Sequence, residues 1–279
     1  MSAPPPDPGE RTHVNGVHTW AFDVDGDEVL AVVTTRHGGR SIGPYEGLNL
    51  AFHVGDDPTA VTANRTLVCE ALGVDRLTVA DQQHGRRVAV VDAALAGAGH
   101  DSLADAQTRL GSIDAMVTDV PGVALAILVA DCAPVVLHDP AHRALGVAHV
   151  GRTGAVLDVV GATVDAMTEH FGTRPADLVV GIGPCVAAAG YEIDGPAVDE
   201  VRAAFGDRLL EPTRPGHATF DLLAAVLERL AAAGVPADQI QATAVDTRTH
   251  DALFSSRAHR PHGCFALVAA LRPDRGRAR

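Results

Sequence analysis

The strongest constraint on the fold is a series of short, continuously apolar segments that alternate with helical patterns. Val123–Val129 and Ala144–His149 contain no Asp, Glu, Lys or Arg, which is typical of strands covered on both faces. A helix is predicted over Asp57–Leu72, which starts with an aspartate cap and stops at Gly73, and another over Gly154–Phe171. Strands interleaved with helices predict a layered α/β fold. The remaining predicted strands are Thr19–Val24, Val29–Thr35, Leu77–Ala80, Val88–Val91, Ala115–Thr118, Pro134–His138, Leu178–Ile182, Ile240–Val245 and Phe265–Leu271, with helices at Ala197–Phe205 and Phe220–Ala233.

The chain is long enough for one large core. It has 279 residues, no fixed-period repeat and no linker that separates two halves. Residues 3–8 are proline-rich and bury too little apolar surface to order themselves, so residues 1–17 are predicted to be a disordered tail. Residues 18–272 are predicted to form a single catalytic domain, followed by a basic C-terminal tail at 273–279.

Charge and composition exclude several classes of partner. The 22 basic and 35 acidic residues give a net charge of -13, which repels nucleic acid and anionic membranes. The longest apolar run, residues 123–130, is too short to cross a bilayer, and the first residues lack a signal-peptide pattern. Four cysteines without a CxxC pair indicate reduced thiols. We therefore expect a cytoplasmic protein, whose oligomeric state the sequence leaves open.

Three segments each place a metal-binding side chain in a loop at the end of an apolar strand. They contribute His84, Cys132 and His149. One thiolate and two imidazoles suit zinc, with copper as a second possibility, and leave a fourth position for water. Two other interpretations stay open: each residue serves only packing, or Cys132 and His149 form a nucleophile and base pair without metal.

Two glycine-rich turns carry an arginine that could bind phosphate. Arg152 follows the strand that ends at His149 and precedes a helix, so backbone N–H groups and a guanidinium face the proposed metal. Arg36 lies in the turn Thr34-Thr35-Arg36-His37-Gly38-Gly39. As bare patterns, both turns are also common strand connections.

Read together, many short motifs in one order resemble the YfiH or laccase-domain family, also called polyphenol oxidase-like proteins, of the purine nucleoside phosphorylase type. The resemblance spans nearly the whole chain. The motifs are Thr34-Thr35-Arg36 with Gly38-Gly39, Leu48-Asn49-Leu50, His53-Val54-Gly55-Asp56, Asn64-Arg65, Gln83-His84-Gly85, Asp114-Ala115, Ala130-Asp131-Cys132-Ala133-Pro134, His149 with Gly151, Gly183-Pro184-Cys185, Tyr191-Glu192 and Phe254-Ser255.

The resemblance implies a single-domain α/β/β/α sandwich with mixed sheets, related to cysteine hydrolases. It also implies that His84, Cys132 and His149 are the metal ligands and the catalytic centre. The implied activities are phosphorolysis of adenosine, inosine and methylthioadenosine, together with adenosine deamination. Purine nucleosides and phosphate would be the partners, and Arg36 and Arg152 would bind the phosphate.

The chain departs from the family pattern around the proposed pocket. The usual Ala-Gly-Trp-Arg-Gly reads Val150-Gly151-Arg152-Thr153-Gly154, so the tryptophan is absent. The usual Cys-Thr, Ser-Tyr-Arg and Gly-Arg read Asp246-Thr247, Ser255-Ser256-Arg257 and Gly263-Cys264. Asp131 could orient a ligand or form a turn, and Cys185 could line the pocket or pack in the core.

Three alternative functions remain at this point. The family also suggests an amidase that edits peptidoglycan precursors by Cys132 attack with His149 as base, and chelation should spare such an enzyme. A copper polyphenol oxidoreductase is disfavoured because the sequence has no His-x-His pair. A metal-binding protein without catalysis would bind the ion and turn over no nucleoside, phenol or amide.

Overall fold

The computed structural model describes residues 10–22, 24 and 28–273, and its elements are numbered here in chain order. A six-stranded first sheet is mostly antiparallel, with one parallel pair at the β4 edge. In spatial order it contains β1 (Glu10–Thr12), β2 (His18–Ala21), β3 (Val29–Thr34), β15 (Phe265–Leu271), β7 (Ala124–Val129) and β4 (Leu77–Val79).

A second six-stranded sheet has antiparallel pairs at its centre and a parallel pair at each edge. Its central strands are buried along their whole length, as the continuous apolar runs predict. In spatial order the sheet contains β14 (Ile240–Ala242), β10 (Val179–Ile182), β8 (Ala133–Asp139), β9 (Ala144–Val150), β6 (Ala115–Thr118) and β5 (Val88–Val90).

Helices cover the outer face of each sheet. α1 begins after Asp57, whose side chain accepts a hydrogen bond from the Thr59 N–H, and ends at Gly73, which has a left-handed φ of 67°. None of the described helices is long and apolar enough to cross a membrane. The helices are α1 (Pro58–Leu72), α2 (Leu103–Arg109), α3 (Arg152–Leu157), α4 (Val159–Phe171), α5 (Gly195–Phe205) and α6 (Leu222–Ala232).

Three apolar cores define four layers. Val68 of α1 packs on the outer face of the first sheet in one core. A central core joins the inner faces of the two sheets, with Ile127 of β7 and Val147 of β9 among its members. The third core packs Val160 of α4 and Val226 of α6 on the outer face of the second sheet. The α/β/β/α architecture with mixed sheets predicted from the sequence is confirmed.

The structure corrects the predicted elements at three places. The helix predicted over Gly154–Phe171 is two helices, because Asp158 takes a left-handed φ of 63° and its side chain accepts a hydrogen bond from the Gly161 N–H. Residues 10–12 of the predicted tail pair with β2 instead of being disordered, while residues 1–9 and 274–279 lie outside the described part. A small third sheet was not predicted, because its strands are only two or three residues long: β11 (Glu192–Ile193), β13 (Ala218–Phe220) and β12 (Leu210–Pro212).

Candidate metal centre

The register of three adjacent strands places Cys132, His149 and Asp114 side by side. β8 starts at Ala133 opposite Val150, so Cys132 directly precedes the pairing with β9 and His149 lies within it. Asp114 directly precedes β6 on the other side of β9, and its carbonyl accepts a 2.7 Å hydrogen bond from the His149 N–H. Three strand ends therefore present a thiol, an imidazole and a carboxylate to one place.

Asp114 holds the loop that carries His84, the third candidate ligand. Its carboxylate is 1% exposed and accepts backbone N–H groups from Gln83 at 3.2 Å, His84 at 2.8 Å and Gly85 at 2.6 Å. These bonds stabilise the left-handed φ of 58° at His84, a conformation that non-glycine residues rarely adopt. The same carboxylate lies 2.8 Å from His149 Nδ1. Asp114 therefore directs Nε2 of His149 toward the other ligands.

The three predicted ligand side chains lie together. Their ligand atoms are all within 4.8 Å of one another, Cys132 Sγ is 3.8 Å from His84 Nε2, and the His84 and His149 ring centroids are 4.7 Å apart. Gly151 keeps the space between them open, because a Cβ there would lie 2.9 Å from both Cys132 Sγ and His84 Cδ2. A larger residue at position 151 would fill the place that an ion needs.

This arrangement fits a small, borderline-soft metal ion. Tetrahedral zinc with bonds of about 2.3 Å to sulfur and about 2.0 Å to nitrogen places its ligands roughly 3.3–3.6 Å apart, close to the spacing between the thiol and the His84 imidazole. His84 is exposed, Cys132 is partly buried and His149 is buried, so the group faces solvent on one side. In the described part of the chain, this is the one group of at least three His, Cys, Asp or Glu residues with such spacing.

The site favours a thiolate beside an imidazolium when it holds no ion. Burial alone would raise the pKa of the Cys132 thiol, but the His149 and His84 imidazoles outweigh it and lower the pKa to about 6. Burial alone would lower the pKa of His149, but Cys132 and Asp114 together raise it to about 9. Cys132 is therefore in the form that binds metal or attacks an electrophile at neutral pH.

The three residues open into a cavity of about 590 Å³, which is large enough for a nucleoside-sized ligand. Its charged and polar wall holds three arginines, further imidazoles and a single carboxylate. The other lining residues are His53, Val54, Gln82, Leu128, Val129, Ala130, Asp131, Arg152, Thr153, Tyr191, Ser256, Arg257, Arg260, Pro261, His262 and Cys264.

The structure separates the two arginines that the sequence analysis assigned to phosphate. Arg152 lines the cavity, where its guanidinium also pairs with Glu200. Arg36 does not line it; its guanidinium donates a 3.1 Å hydrogen bond to the Glu46 carbonyl and stacks 4.7 Å from the Phe254 ring centroid. Arg36 faces two neighbouring cavities of about 850 and 560 Å³ instead. Its role in phosphate binding stays a prediction.

Asp131 organises part of the cavity wall. It has a φ of 100°, and its carboxylate accepts hydrogen bonds from Thr247 Oγ1 at 2.7 Å, Ser255 Oγ at 2.6 Å, Ser256 Oγ at 2.7 Å and the Arg257 N–H at 2.8 Å. All these partners are more than a hundred positions away in sequence, so no local signal predicts the contacts. Asp131 thus ties the segment 255–257 to the loop that carries Cys132.

Of the remaining positions singled out in the sequence, some line the cavity and others do not. Cys185 is 4% exposed, does not line the cavity, and burial raises its pKa to about 12, which is consistent with packing. Asp246 accepts the Ala187 N–H at 3.1 Å and also lies outside the cavity. Thr153 and Cys264, at two other positions that depart from the family pattern, do line it. The changes Thr153 and Cys264 therefore alter the cavity wall itself.

Comparison with protein families supplies the identity of this fold. Residues 30–272 match the family described as multi-copper polyphenol oxidoreductase laccase. The chain belongs to this family. The laccase-domain resemblance seen in the sequence is thereby confirmed, and the similarity spans nearly the whole length of the chain.

Curated relatives in this family are named for nucleoside chemistry. A purine nucleoside phosphorylase of Streptomyces coelicolor is 41% identical over 260 residues, covering 92% of this chain and 97% of the relative. The purine nucleoside phosphorylase YlmD of Geobacillus stearothermophilus is 34% identical over 232 residues, covering 81% and 84%. The crystal structure of YlmD from the same organism superposes with a TM-score of 0.87 at 30% identity, covering 96% of this chain and all of that one. The crystal structure of the hypothetical protein YfiH of Bacillus licheniformis also superposes with a TM-score of 0.87, at 28% identity, covering 94% of this chain and 99% of that one.

Proposed function

We propose that this laccase-domain protein is a metal-dependent purine nucleoside phosphorylase acting on adenosine, inosine and methylthioadenosine, with adenosine deaminase activity at the same centre. The observation that carries the proposal is the His84, Cys132 and His149 group, within 4.8 Å, at the base of a cavity with a cationic wall. The names of the curated relatives support the substrate class.

In phosphorolysis, a phosphate oxygen forms a bond to C1′ of the ribose while the bond from C1′ to the purine nitrogen breaks. The electron pair of the broken bond goes to the base, which takes up a proton, and the products are ribose 1-phosphate and the free purine. The sugar develops positive charge on the way, so an anion held beside it stabilises the transition state. The arginines on the cavity wall are suited to hold that anion.

His84, Cys132 and His149 would hold the ion, with zinc fitting their donor set and copper as the second possibility. When bound, such an ion supplies a Lewis acid and an activated water, the chemistry that deamination at C6 of adenosine requires. Asp114 keeps the Nδ1–H of His149 engaged and its Nε2 directed at the site. Gly151 leaves the room between the ligands.

A second candidate function is favoured by one specific observation. Asp114, His149 and Cys132 form a chain of carboxylate, imidazole and low-pKa thiol, which is the arrangement of a cysteine amidase. In that reaction the Cys132 sulfur attacks an amide carbonyl, and the C–N bond breaks as His149 gives a proton to the departing amine. Water then attacks the thioester, releases the acid and restores the thiol. The two candidates differ in their need for metal.

The deciding experiment uses protein prepared without metal, then loaded with zinc or copper. We expect release of purine base from inosine and adenosine that requires phosphate and is lost in Cys132→Ala. Cys69→Ala is the matched control, because Cys69 is a thiol of α1 outside the cavity. Phosphate-dependent release that survives Cys132→Ala would overturn the proposal. Amide hydrolysis that persists in chelator, with no activity on nucleosides, would select the cysteine amidase.

A further inference from the structure

The wall of the cavity that contains His84, Cys132 and His149 carries an unbalanced positive charge. Arg257, Arg260 and Arg152 all line it, whereas Asp131 contributes the single carboxylate among its lining residues. That carboxylate already accepts four hydrogen bonds from Thr247, Ser255, Ser256 and Arg257. The Asp131 carboxylate therefore forms no ion pair with an arginine side chain of the cavity. The three arginines outnumber this one carboxylate, so the cavity attracts anions although the whole chain carries a net charge of -13.

Resting on the proposed function, we propose that Arg257 and Arg260 form the subsite that binds inorganic phosphate. The sequence pattern predicts this anion at Arg36 and Arg152, whereas the lining of the cavity favours the segment 256–260.

Arg257 is fixed from three sides without a carboxylate partner. Its backbone N–H donates to Asp131 at 2.8 Å, its Nη1 donates to the Glu192 carbonyl at 2.7 Å, and its guanidinium lies 4.6 Å from the Tyr191 ring centroid. The Glu192 carboxylate itself is engaged by Arg214 at 2.8 Å. The positive charge of Arg257 is therefore held in place but not neutralised by an acidic side chain.

Arg260 offers a free guanidinium edge. Its Nε donates a 3.2 Å hydrogen bond to the Ser256 carbonyl, and no described residue accepts a hydrogen bond from its two terminal nitrogens. A planar pair of N–H groups is suited to two oxygens of one phosphate. Arg257 and Arg260 are three positions apart on one segment. Ser256 fixes this segment, because its hydroxyl donates to Asp131 and its carbonyl accepts from Arg260 Nε.

The other two arginines are less suited to this role. Arg152 pairs with the Glu200 carboxylate, so part of its charge is already compensated. Arg36 lies outside this cavity, with its guanidinium on the Glu46 carbonyl and the Phe254 ring. Of the four, Arg257 and Arg260 are the ones that both line the cavity and have no acidic partner.

Asp131 places this subsite beside the metal centre. It precedes Cys132 in sequence, and its carboxylate binds Ser256 Oγ and the Arg257 N–H. A phosphate held by Arg257 and Arg260 would therefore lie in the same cavity as Cys132. Attack of phosphate on C1′ requires that the phosphate and the nucleoside share one site in this way.

The test combines calorimetric titration of the zinc-loaded protein with inorganic phosphate and steady-state kinetics with inosine. Loss of a charged bidentate contact should weaken phosphate binding, and raise its KM, by about tenfold or more in Arg260→Gln and in Arg257→Gln. The KM for inosine should change less than about twofold in Arg260→Gln, and Arg260→Lys should recover only part of the phosphate affinity, because it restores charge without the fork. Arg202→Gln, an exposed arginine of α5, is the control.

The outcomes separate the two levels of the proposal. Wild-type protein that binds phosphate but releases no base would refute the proposed function, while the variants would still test the subsite by calorimetry. Wild-type protein that binds no phosphate, or Arg257 and Arg260 variants that bind it as well as wild type, would overturn the subsite. A tenfold loss in Arg36→Gln with none in Arg260→Gln would return the phosphate to Arg36.

Discussion

Substitution of Asp114 by asparagine should weaken the metal centre without touching a ligand. One carboxylate oxygen of Asp114 accepts the His84 N–H and faces His149 Nδ1, both at 2.8 Å, and the other accepts the N–H groups of Gln83 at 3.2 Å and Gly85 at 2.6 Å. Asparagine has one oxygen and one NH2 group, and NH2 cannot accept. In either orientation of the amide, the NH2 group therefore faces two of these four partners and cannot accept from them.

Each orientation damages a different ligand. With NH2 toward His149, the imidazole must accept at Nδ1 and carry its proton on Nε2, the nitrogen that faces the other ligands. With NH2 toward Gln83 and Gly85, the turn that presents His84 loses two of its anchors. Removing such a supporting contact lowers metal affinity by about 10–100-fold, or about 1.4–2.7 kcal/mol. The loss of one or two of these buried hydrogen bonds should also destabilise the fold by roughly 1–3 kcal/mol.

The assay is zinc competition against a chromophoric chelator, with urea denaturation of the metal-free protein beside it. Asp165→Asn is the matched control, since Asp165 is exposed on α4. We expect the control to bind zinc like wild type and Asp114→Asn to bind it at least tenfold more weakly. A zinc affinity within twofold of wild type in Asp114→Asn would refute the argument that this carboxylate sets the tautomer of His149.

Three further predictions concern single residues. In metal-free protein, the rate of Cys132 alkylation by iodoacetamide should increase up to about pH 7 and then level off, because the pKa of Cys132 is about 6. Cys69, whose pKa burial raises to about 11, should stay unmodified. Peptide mass spectrometry measures both rates, and a Cys132 rate that kept rising tenfold per pH unit to pH 8 would contradict the prediction. Gly151→Ala should cut zinc affinity at least tenfold, measured by the same competition, because its Cβ would lie 2.9 Å from Cys132 Sγ and His84 Cδ2; unchanged affinity would show that the loop yields. Arg65→Met should lower the free energy of unfolding by about 3 kcal/mol or more, measured by urea denaturation, because Arg65 is 2% exposed and its guanidinium donates to three backbone carbonyls. A decrease under about 1 kcal/mol would mean that water replaces the guanidinium.

The long elements could be predicted from the sequence because their signals are local. Continuous apolar runs mark the buried strands, and the Asp57 cap with Gly73 marks both ends of α1. The break at Asp158 was hidden because Val156, Val159 and Val160 continue one apolar stripe across it, and periodicity does not register a single left-handed residue. β1 was missed because its stability comes from pairing with β2, not from its own composition.

The sequence predicts three candidate metal ligands, but it does not indicate the residues that support them. His84, Cys132 and His149 each stand at a strand end with a metal-binding atom, which is visible locally. Asp114 contacts residues about thirty positions away on both sides, and Asp131 contacts residues more than a hundred away. Arg260 has no distinguishing local pattern; only the cavity that it lines reveals a role. The roles of Asp114, Asp131 and Arg260 depend on contacts between residues far apart in the chain, and no local sequence pattern indicates such contacts.

The position of the centre follows from how the chain moves between the two sheets. β4 and β7 belong to the first sheet, whereas the next strands, β5 and β8, belong to the second. His84 lies in the first of these crossings and Cys132 in the other, while His149 lies at the end of β9 in the second sheet. Residues in a crossing leave the regular ladder, so their side chains are free to turn toward one point at the rim of the sandwich. An ion held there would join two crossings and a strand end. Its binding energy would therefore also stabilise the packing of the two sheets at this edge.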